Sequence, residues 1–222
     1  MSKYDYEYIW DSYYCYPGTN VLINRLNIQD SDLLSEAERR VTALNILEIK
    51  DNPVRGKFDL KHLCDIHGAI FGDVFAWAGK LRTVNIAKGN QFCLFQHLEA
   101  YAESVFSELK AEEYLINKSA DEMPERLTYY LSEINVLHPF RDGNGRAQRL
   151  FIEYLAQYAG FYVDFSFVTG KEMIEASALS FAKEYDLMID MFKRILSPIT
   201  SQEQQEFRTK ISTGKIKSNI QN

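Results

Sequence analysis

His138-Pro139-Phe140-Arg141-Asp142-Gly143-Asn144-Gly145-Arg146-Ala147-Gln148-Arg149 joins two segments of helical periodicity, and its reading decides the fold. Upstream, Leu127, Tyr130, Leu131 and Ile134 recur at helical spacing. Pro124 sits in the first turn and Asp121 is placed to cap it. Proline disfavours helix in the residue before it, so this helix ends at His138. Downstream, Leu150, Phe151, Tyr154, Leu155 and Tyr158 form a second apolar stripe, and Gly160 suits its C-terminal stop.

The loop itself has the composition of a nucleotide-phosphate site. Gly143 and Gly145 let a backbone approach a ligand closely. They open onto a helix whose first N–H groups and positive dipole end attract an anion, and Asn144 adds an amide donor there. Arg146 and Arg149 are three apart on one helix face, a spacing that suits a polyphosphate. A lone carboxylate beside phosphates, here Asp142, is a usual ligand for Mg²⁺ or Mn²⁺. An imidazole titrates near neutral pH, so His138 can take a proton from an attacking hydroxyl. An ordinary helix–turn–helix connection would explain the glycines and the asparagine. It explains neither the histidine before the proline nor Asp142.

Working outward, Asp30 or Ser31 caps an earlier helix with Leu34, Ala37, Val41 and Leu44 on one face. Residues 60–71 repeat the pattern with Leu60, Leu63, His67 and Ile70. From Leu81 to Phe95 the period changes. Val84 and Ile86 alternate with polar neighbours, Lys88-Gly89-Asn90 supplies a turn, and Phe92 to Phe95 follows, which reads as a short β-hairpin. Further helices are expected at about 97–112, 170–183 and 185–196. Residues 199–222 are polar, lack an apolar stripe and read as a loosely attached tail. The expected fold is mainly α with one small hairpin. Its division is an N-terminal extension over 1–30, a domain over 31–197 and a polar tail over 198–222.

Composition narrows the function classes. Of 222 residues, 46% are hydrophobic, enough for a sizeable core. A net charge of -6 argues against a general nucleic-acid binder. Three widely spaced cysteines, Cys15, Cys64 and Cys93, read as reduced thiols of a cytoplasm rather than a disulfide framework. No apolar run is long enough for a membrane span, and Met1 to Glu7 offers no apolar leader. Export as an effector uses signals of neither kind, so "cytoplasmic" describes where the chain folds.

The loop resembles the signature of the Fic (filamentation induced by cAMP) family, His-x-Phe-x-[Asp/Glu]-Gly-Asn-Gly-Arg-x-x-Arg, with every specified position met. His62, Phe75-Ala76-Trp77-Ala78-Gly79 and Leu81-Arg82 resemble the family's run into its hairpin. The resemblance implies a helical bundle with a β-hairpin flap over the site, and transfer of AMP from ATP to a protein hydroxyl. It implies that His138 is the general base, Asp142 the Mg²⁺ ligand, and Gly143, Asn144 and Gly145 the anion hole. Arg146 and Arg149 are then the β/γ-phosphate contacts. Lys88, Gln91, Phe92, Cys93 and Leu94 would form a flap that docks an extended piece of target by strand pairing. Relatives that transfer a phosphoryl group carry lysine at the second loop glycine. Gly145 stands there and favours AMP over a phosphoryl group or UMP. A toxin–antitoxin interaction module with incidental catalysis is the rival from another class.

Other residues read more plainly. His62 and His67 are five apart, off the four-residue spacing of paired zinc ligands, and read as structural. Tyr4, Tyr6, Tyr8, Tyr13, Tyr14 and Tyr16 read as packing residues, with self-modification as the alternative. Many Fic enzymes resemble one another in an inhibitory helix, [Ser/Thr]-x-x-x-Glu-[Gly/Asn], whose glutamate pairs with the second signature arginine, here Arg149. Only Ser104–Glu108 and Ser180–Glu184 have that spacing, and Leu109 and Tyr185 follow them. The expectation is therefore inhibition by a separate antitoxin-like protein. Glu36 and Glu38, the acids a degenerate inhibitor would use, are expected to be surface residues of little effect.

Overall fold

A computed structural model describes residues 13–213, so Tyr4, Tyr6 and Tyr8 lie outside the described residues. The elements follow in order: α1 Ser31–Asp51, α2 Leu60–Phe71, β1 Ala87–Lys88, β2 Asn90–Gln91, α3 Leu98–Ala111 and α4 Met123–Leu137. Then come α5 Asn144–Ala159, β3 Phe161–Val163, α6 Gly170–Phe181, α7 Asp186–Ile195, β4 Leu196–Pro198 and α8 Ser201–Thr213. The mainly helical architecture is as expected.

α5 is the central element. It packs on α2, α4 and α8, while α1 lies on α2, and α3, α6 and α7 pack on α4. Its burial extends beyond one stripe: Ala147, Ile152 and Ala156 are buried along with Leu150, Phe151, Tyr154 and Leu155. A helix enclosed on several sides has no solvent face to leave polar. Gly160 ends it in the left-handed conformation, φ 105°, as expected.

Three local expectations need correction. α4 does not use Asp121 as its cap. Ser119 and Glu122 instead bond reciprocally, each side chain accepting the other's backbone N–H. On α1, Asp30 caps as expected by accepting from Leu33 N at 2.8 Å, but Leu44 is 69% exposed. The buried face runs through Leu34, Thr42, Asn45 and Ile49, one position out of phase with the apolar pattern. The third concerns the C-terminal stretch, which is firmly seated through Thr213. Phe207 and Ile211 of α8 are buried, and Gln204 and Arg208 both donate to the Tyr158 carbonyl, at 3.0 and 2.9 Å. Those bonds satisfy a carbonyl at the open end of α5.

The expected hairpin is present, and among the described residues a second small antiparallel sheet accompanies it. β1 and β2 pair around Gly89, φ 73°, in the register Ala87↔Gln91, so the ladder is much shorter than the Leu81–Phe95 pattern. The second sheet, β3 with β4, pairs Tyr162↔Ser197 and ties the exit of α5 to the end of α7. Three-residue strands are too short for alternation to reveal them.

Candidate active site

The signature loop is shaped by its own side chains. Asn144 is buried and bonds Phe140 twice, accepting from its N–H at 2.9 Å and donating to its carbonyl at 2.8 Å. Its amide therefore staples the loop, and the reading of it as a side-chain donor to an anion is corrected. What remains for an anion are backbone N–H groups: those of Asn144 and Gly145 begin α5 and have no intrahelical acceptor. Gly143 has φ 78°, and a β-carbon there would lie 2.4 Å from the Phe71 ring. Its freedom accommodates the core rather than a ligand.

His67 supports the loop from beneath. Its Nδ1 accepts the Gly79 N–H at 2.9 Å, which leaves Nε2–H to donate to the Asp142 carbonyl at 2.9 Å. The ring stacks between Phe140 and Phe71, with centroids 3.9 and 4.6 Å away. Complete burial pushes its pKa down to about 3, so it stays neutral. The structural reading of His67 stands, and what it holds is the candidate metal ligand's backbone. His62 is structural as well, bonded to Phe58 N and the Val54 carbonyl.

His138 terminates α4 in the left-handed conformation, φ 44°, ψ 59°. Its Nδ1–H points to the Asn135 carbonyl at 3.2 Å, so Nε2 is the basic nitrogen. Burial, with the cations of Arg82 and Lys88 adding to it, lowers its pKa to about 3. It is a neutral imidazole at physiological pH. The Phe92 ring stacks on it, centroids 3.7 Å apart.

Arg82, a buried guanidinium, links this histidine to the hairpin. It donates to the carbonyls of His138 at 2.8 Å and Val84 at 2.7 Å, and to that of Cys93. Its acceptors thus bracket β1 and β2 on both sides and reach the last turn of α4. Nothing in the local sequence around Arg82 discloses acceptors that lie up to 56 residues away.

The hairpin residues divide by direction. Gln91 and Leu94 are exposed, Lys88 and Cys93 are half-buried, and Phe92 is buried against His138 rather than offered outward. The Cys93 N–H donates to Val136 O at 2.9 Å, which fixes the flap's exit on α4. Burial lowers the Lys88 pKa, and the opposing pull of Asp142 brings this flap residue within electrostatic reach of the loop.

Asp142 is half-buried, and its Oδ1 accepts the Gly143 N–H at 2.6 Å. The two arginines go different ways. Arg149 reaches back over the loop, where a β-carbon on Gly145 would meet its Nη1 at 3.2 Å. Arg146 turns toward α1, donating to Thr42 Oγ1 at 2.9 Å and pairing with Glu38. Glu38 is therefore no surface residue, contrary to the expectation for it; its side chain is 14% exposed. Glu36 is exposed and pairs with Arg40. The His138 imidazole, the Asp142 carboxylate and the N-terminus of α5 are thus set at the α4–α5 junction, with Phe92 of the hairpin against the histidine, while Arg146 is held to α1.

Residues 57–156 match the Fic/DOC family. Over 188 residues the chain is 40% identical to the protein adenylyltransferase VbhT of Bartonella schoenbuchensis, covering 84% of this chain and 39% of that one. It is 38% identical over 186 residues to the probable protein adenylyltransferase Fic of Salmonella typhimurium, covering 83% and 92%. The chain thus spans well under half of the first relative and nearly all of the second. Among solved structures, BepC, a VirB-translocated effector of Bartonella tribocorum with bound AMPPNP, superposes with a TM-score of 0.82. It is 27% identical, with 87% of this chain and all (100%) of that one covered. An N-terminal Fic domain from Bartonella quintana with bound ADP gives 0.83 at 28% identity, covering 86% and 97%. A complete signature between two bundled helices, and 92% of a curated relative covered at 38% identity, place this chain in the Fic/DOC family.

Proposed function

We propose that this chain is a protein adenylyltransferase, moving AMP from ATP to a Tyr, Thr or Ser hydroxyl of a target protein. The hydroxyl oxygen attacks the α-phosphorus as its proton passes to His138 Nε2. The bond from the α-phosphorus to the oxygen bridging the β-phosphate breaks, and pyrophosphate leaves. The backbone N–H groups of Asn144 and Gly145 hold phosphate oxygens at the start of α5, and Arg146 and Arg149 hold the β/γ-phosphates.

Among the described residues no cluster of three or more His, Cys, Asp or Glu side chains forms a protein cage for a metal. A single half-buried carboxylate, Asp142, suits Mg²⁺ or Mn²⁺ that arrives on the nucleotide and keeps phosphate and water ligands. Bound there, the ion would neutralise charge on the leaving phosphates.

The exposed side chains of Gln91, in β2, and Leu94, just after it, form the surface on which the target segment docks by strand pairing. Control by a separate inhibitor protein belongs to the same reading. Its support is that the α1 glutamate touching the signature engages Arg146, and that no inhibitory run occurs in these 222 residues.

The single observation that carries the activity is His138: neutral, oriented through Nδ1, and set at the end of α4 where the loop into α5 begins. The test is transfer of label from α-phosphate-labelled ATP in a cell lysate, wild type against His138→Ala. Loss of a general base reduces transfer by about 10²- to 10⁴-fold while nucleotide binding persists. Retention of half the wild-type transfer would remove His138 from the reaction.

A further inference from the structure

α1 lies outside the segment that matches the family, yet it holds one of the signature arginines. Glu38 and Thr42 sit four apart on the face that also carries Leu34, Asn45 and Ile49. Polar groups on a packed face are costly unless partnered. Asn45 meets the end of α2, bonding the Ile70 carbonyl and Asp73, each at 3.0 Å. Glu38 and Thr42 meet Arg146: Thr42 Oγ1 takes its Nη1–H at 2.9 Å and Glu38 pairs with Nη2. The same guanidinium lies 4.5 Å over the Phe71 ring. Two hydrogen bonds and a ring face fix its position and its plane.

We infer that Glu38 is a positioning residue for nucleotide transfer, fixing the Arg146 guanidinium so that its remaining N–H groups meet the phosphates without reordering. The inference rests on the phosphate-binding reading of Arg146 proposed above. An inhibitory glutamate would have to let its arginine go when ATP binds. Glu38 engages Arg146 and not Arg149, on a helix anchored by the buried Leu34 and Thr42. The side-chain freedom of Arg146 is therefore lost on folding rather than on binding. Asp142 adds to the burial that raises the Glu38 pKa, so the pair lies within electrostatic reach of the candidate metal ligand. A guanidinium has five N–H donors, and the ones not given to α1 face their ligand with orientation already set.

The experiment compares ATP KM, kcat and melting temperature for wild type, Glu38→Ala, Glu38→Gln, Arg146→Ala and the double variant Glu38→Ala/Arg146→Ala. Arg146→Ala should lower kcat/KM on the order of 10²-fold. Glu38→Ala should lower it about tenfold, chiefly through the ATP KM. Glu38→Gln, which keeps an acceptor for Nη2, should recover most of that loss. The double variant should be no worse than Arg146→Ala, because both act through one side chain. A lower melting temperature with unchanged ATP KM in Glu38→Ala would reduce Glu38 to a structural role and overturn the inference. So would additive losses in the double variant, or a rate increase, which would make Glu38 an inhibitor. If Arg146→Ala leaves both constants unchanged, the phosphate reading of Arg146 falls and the inference falls with it.

Discussion

The ring of Phe92 lies flat on that of His138, with centroids 3.7 Å apart and planes 12° from parallel. Phe181 of α6 meets the Phe92 ring edge-on at 5.7 Å, so the histidine is roofed by an aromatic pair. The roof keeps water from the imidazole, and with the nearby cations of Arg82 and Lys88 it disfavours the imidazolium.

Phe92→Ala should therefore change the pH dependence of the reaction. In the wild type, with His138 held near 3, no loss from protonation of the base is expected across the physiological range. Removing the ring lets water in, and the pKa should rise toward the ordinary value of about 6.5. A kcat/KM profile of the variant should then gain an acid limb near pH 6, which the wild type lacks. Identical profiles would mean that the ring does not govern the base. Truncating a buried phenylalanine should also cost about 3 kcal/mol of stability.

The same burial makes stability depend on pH. His67 and His138 have folded pKa values near 3, against about 6.5 in an unfolded chain. Below pH 6.5 the unfolded state takes up protons that the fold refuses. Their contribution is complete above that pH and is lost as pH falls toward 3. His62 is shifted in the same direction by burial. The raised carboxyls of Glu38 and Glu153 oppose the trend in part. Urea unfolding at pH 7 and at pH 5 should differ by about 2 kcal/mol for each fully buried histidine. His67→Gln should flatten that difference; an unchanged slope would place the proton uptake elsewhere.

Transfer should require a divalent ion and should fall by about 10²-fold in Asp142→Asn, which keeps the shape and the Gly143 bond but loses the charge. Turnover assayed against added Mg²⁺, with excess EDTA as the blank, checks this. Undiminished turnover in EDTA would exclude the metal-ligand reading of Asp142.

Phe207→Ala tests whether α8 is part of the folded body. Phe207 packs edge-on against Tyr154 of α5, centroids 5.5 Å apart, and is buried. A loosely held tail would lose nothing by the change, whereas a seated helix should lose about 3 kcal/mol in thermal or urea unfolding.

The helices from α1 to α7 and the signature loop are legible because each rests on local periodicity, and on turn residues whose conformational reasons are short-range. What was hidden is non-local. Thr42 and Glu38 look like solvent residues of an amphipathic helix until Arg146, 104 and 108 residues away, is brought to them. That is also why the apolar pattern of α1 points to Leu44 when the buried face runs one position on, through Asn45. α8 has only two apolar anchors, Phe207 and Ile211, too few to stand out as a stripe in a Gln-rich stretch. Asn144 was legible as a site residue but not in its role, because an amide beside glycines reads equally as ligand donor and as loop staple. Only the bonds to Phe140 decide between them.

Gly143 and Gly89 make a matched pair of left-handed glycines, φ 78° and 73°, with different surroundings. At Gly89 a β-carbon would meet nothing within 4 Å, so Gly89→Ala carries only the backbone penalty, about 1 kcal/mol. At Gly143 the same atom would lie 2.4 Å from the Phe71 ring. That ring is buried on α2, stacks against His67, and has the Arg146 guanidinium over its face, so it has little room to give. Gly143→Ala should therefore cost about 3 kcal/mol, adding overpacking to the backbone term. It should also displace Arg146 and weaken ATP binding, whereas Gly89→Ala leaves the nucleotide affinity within about twofold. Melting curves and nucleotide titrations of the two variants side by side decide the matter. Equal stability losses would show that Phe71 yields and that the glycine serves conformation alone.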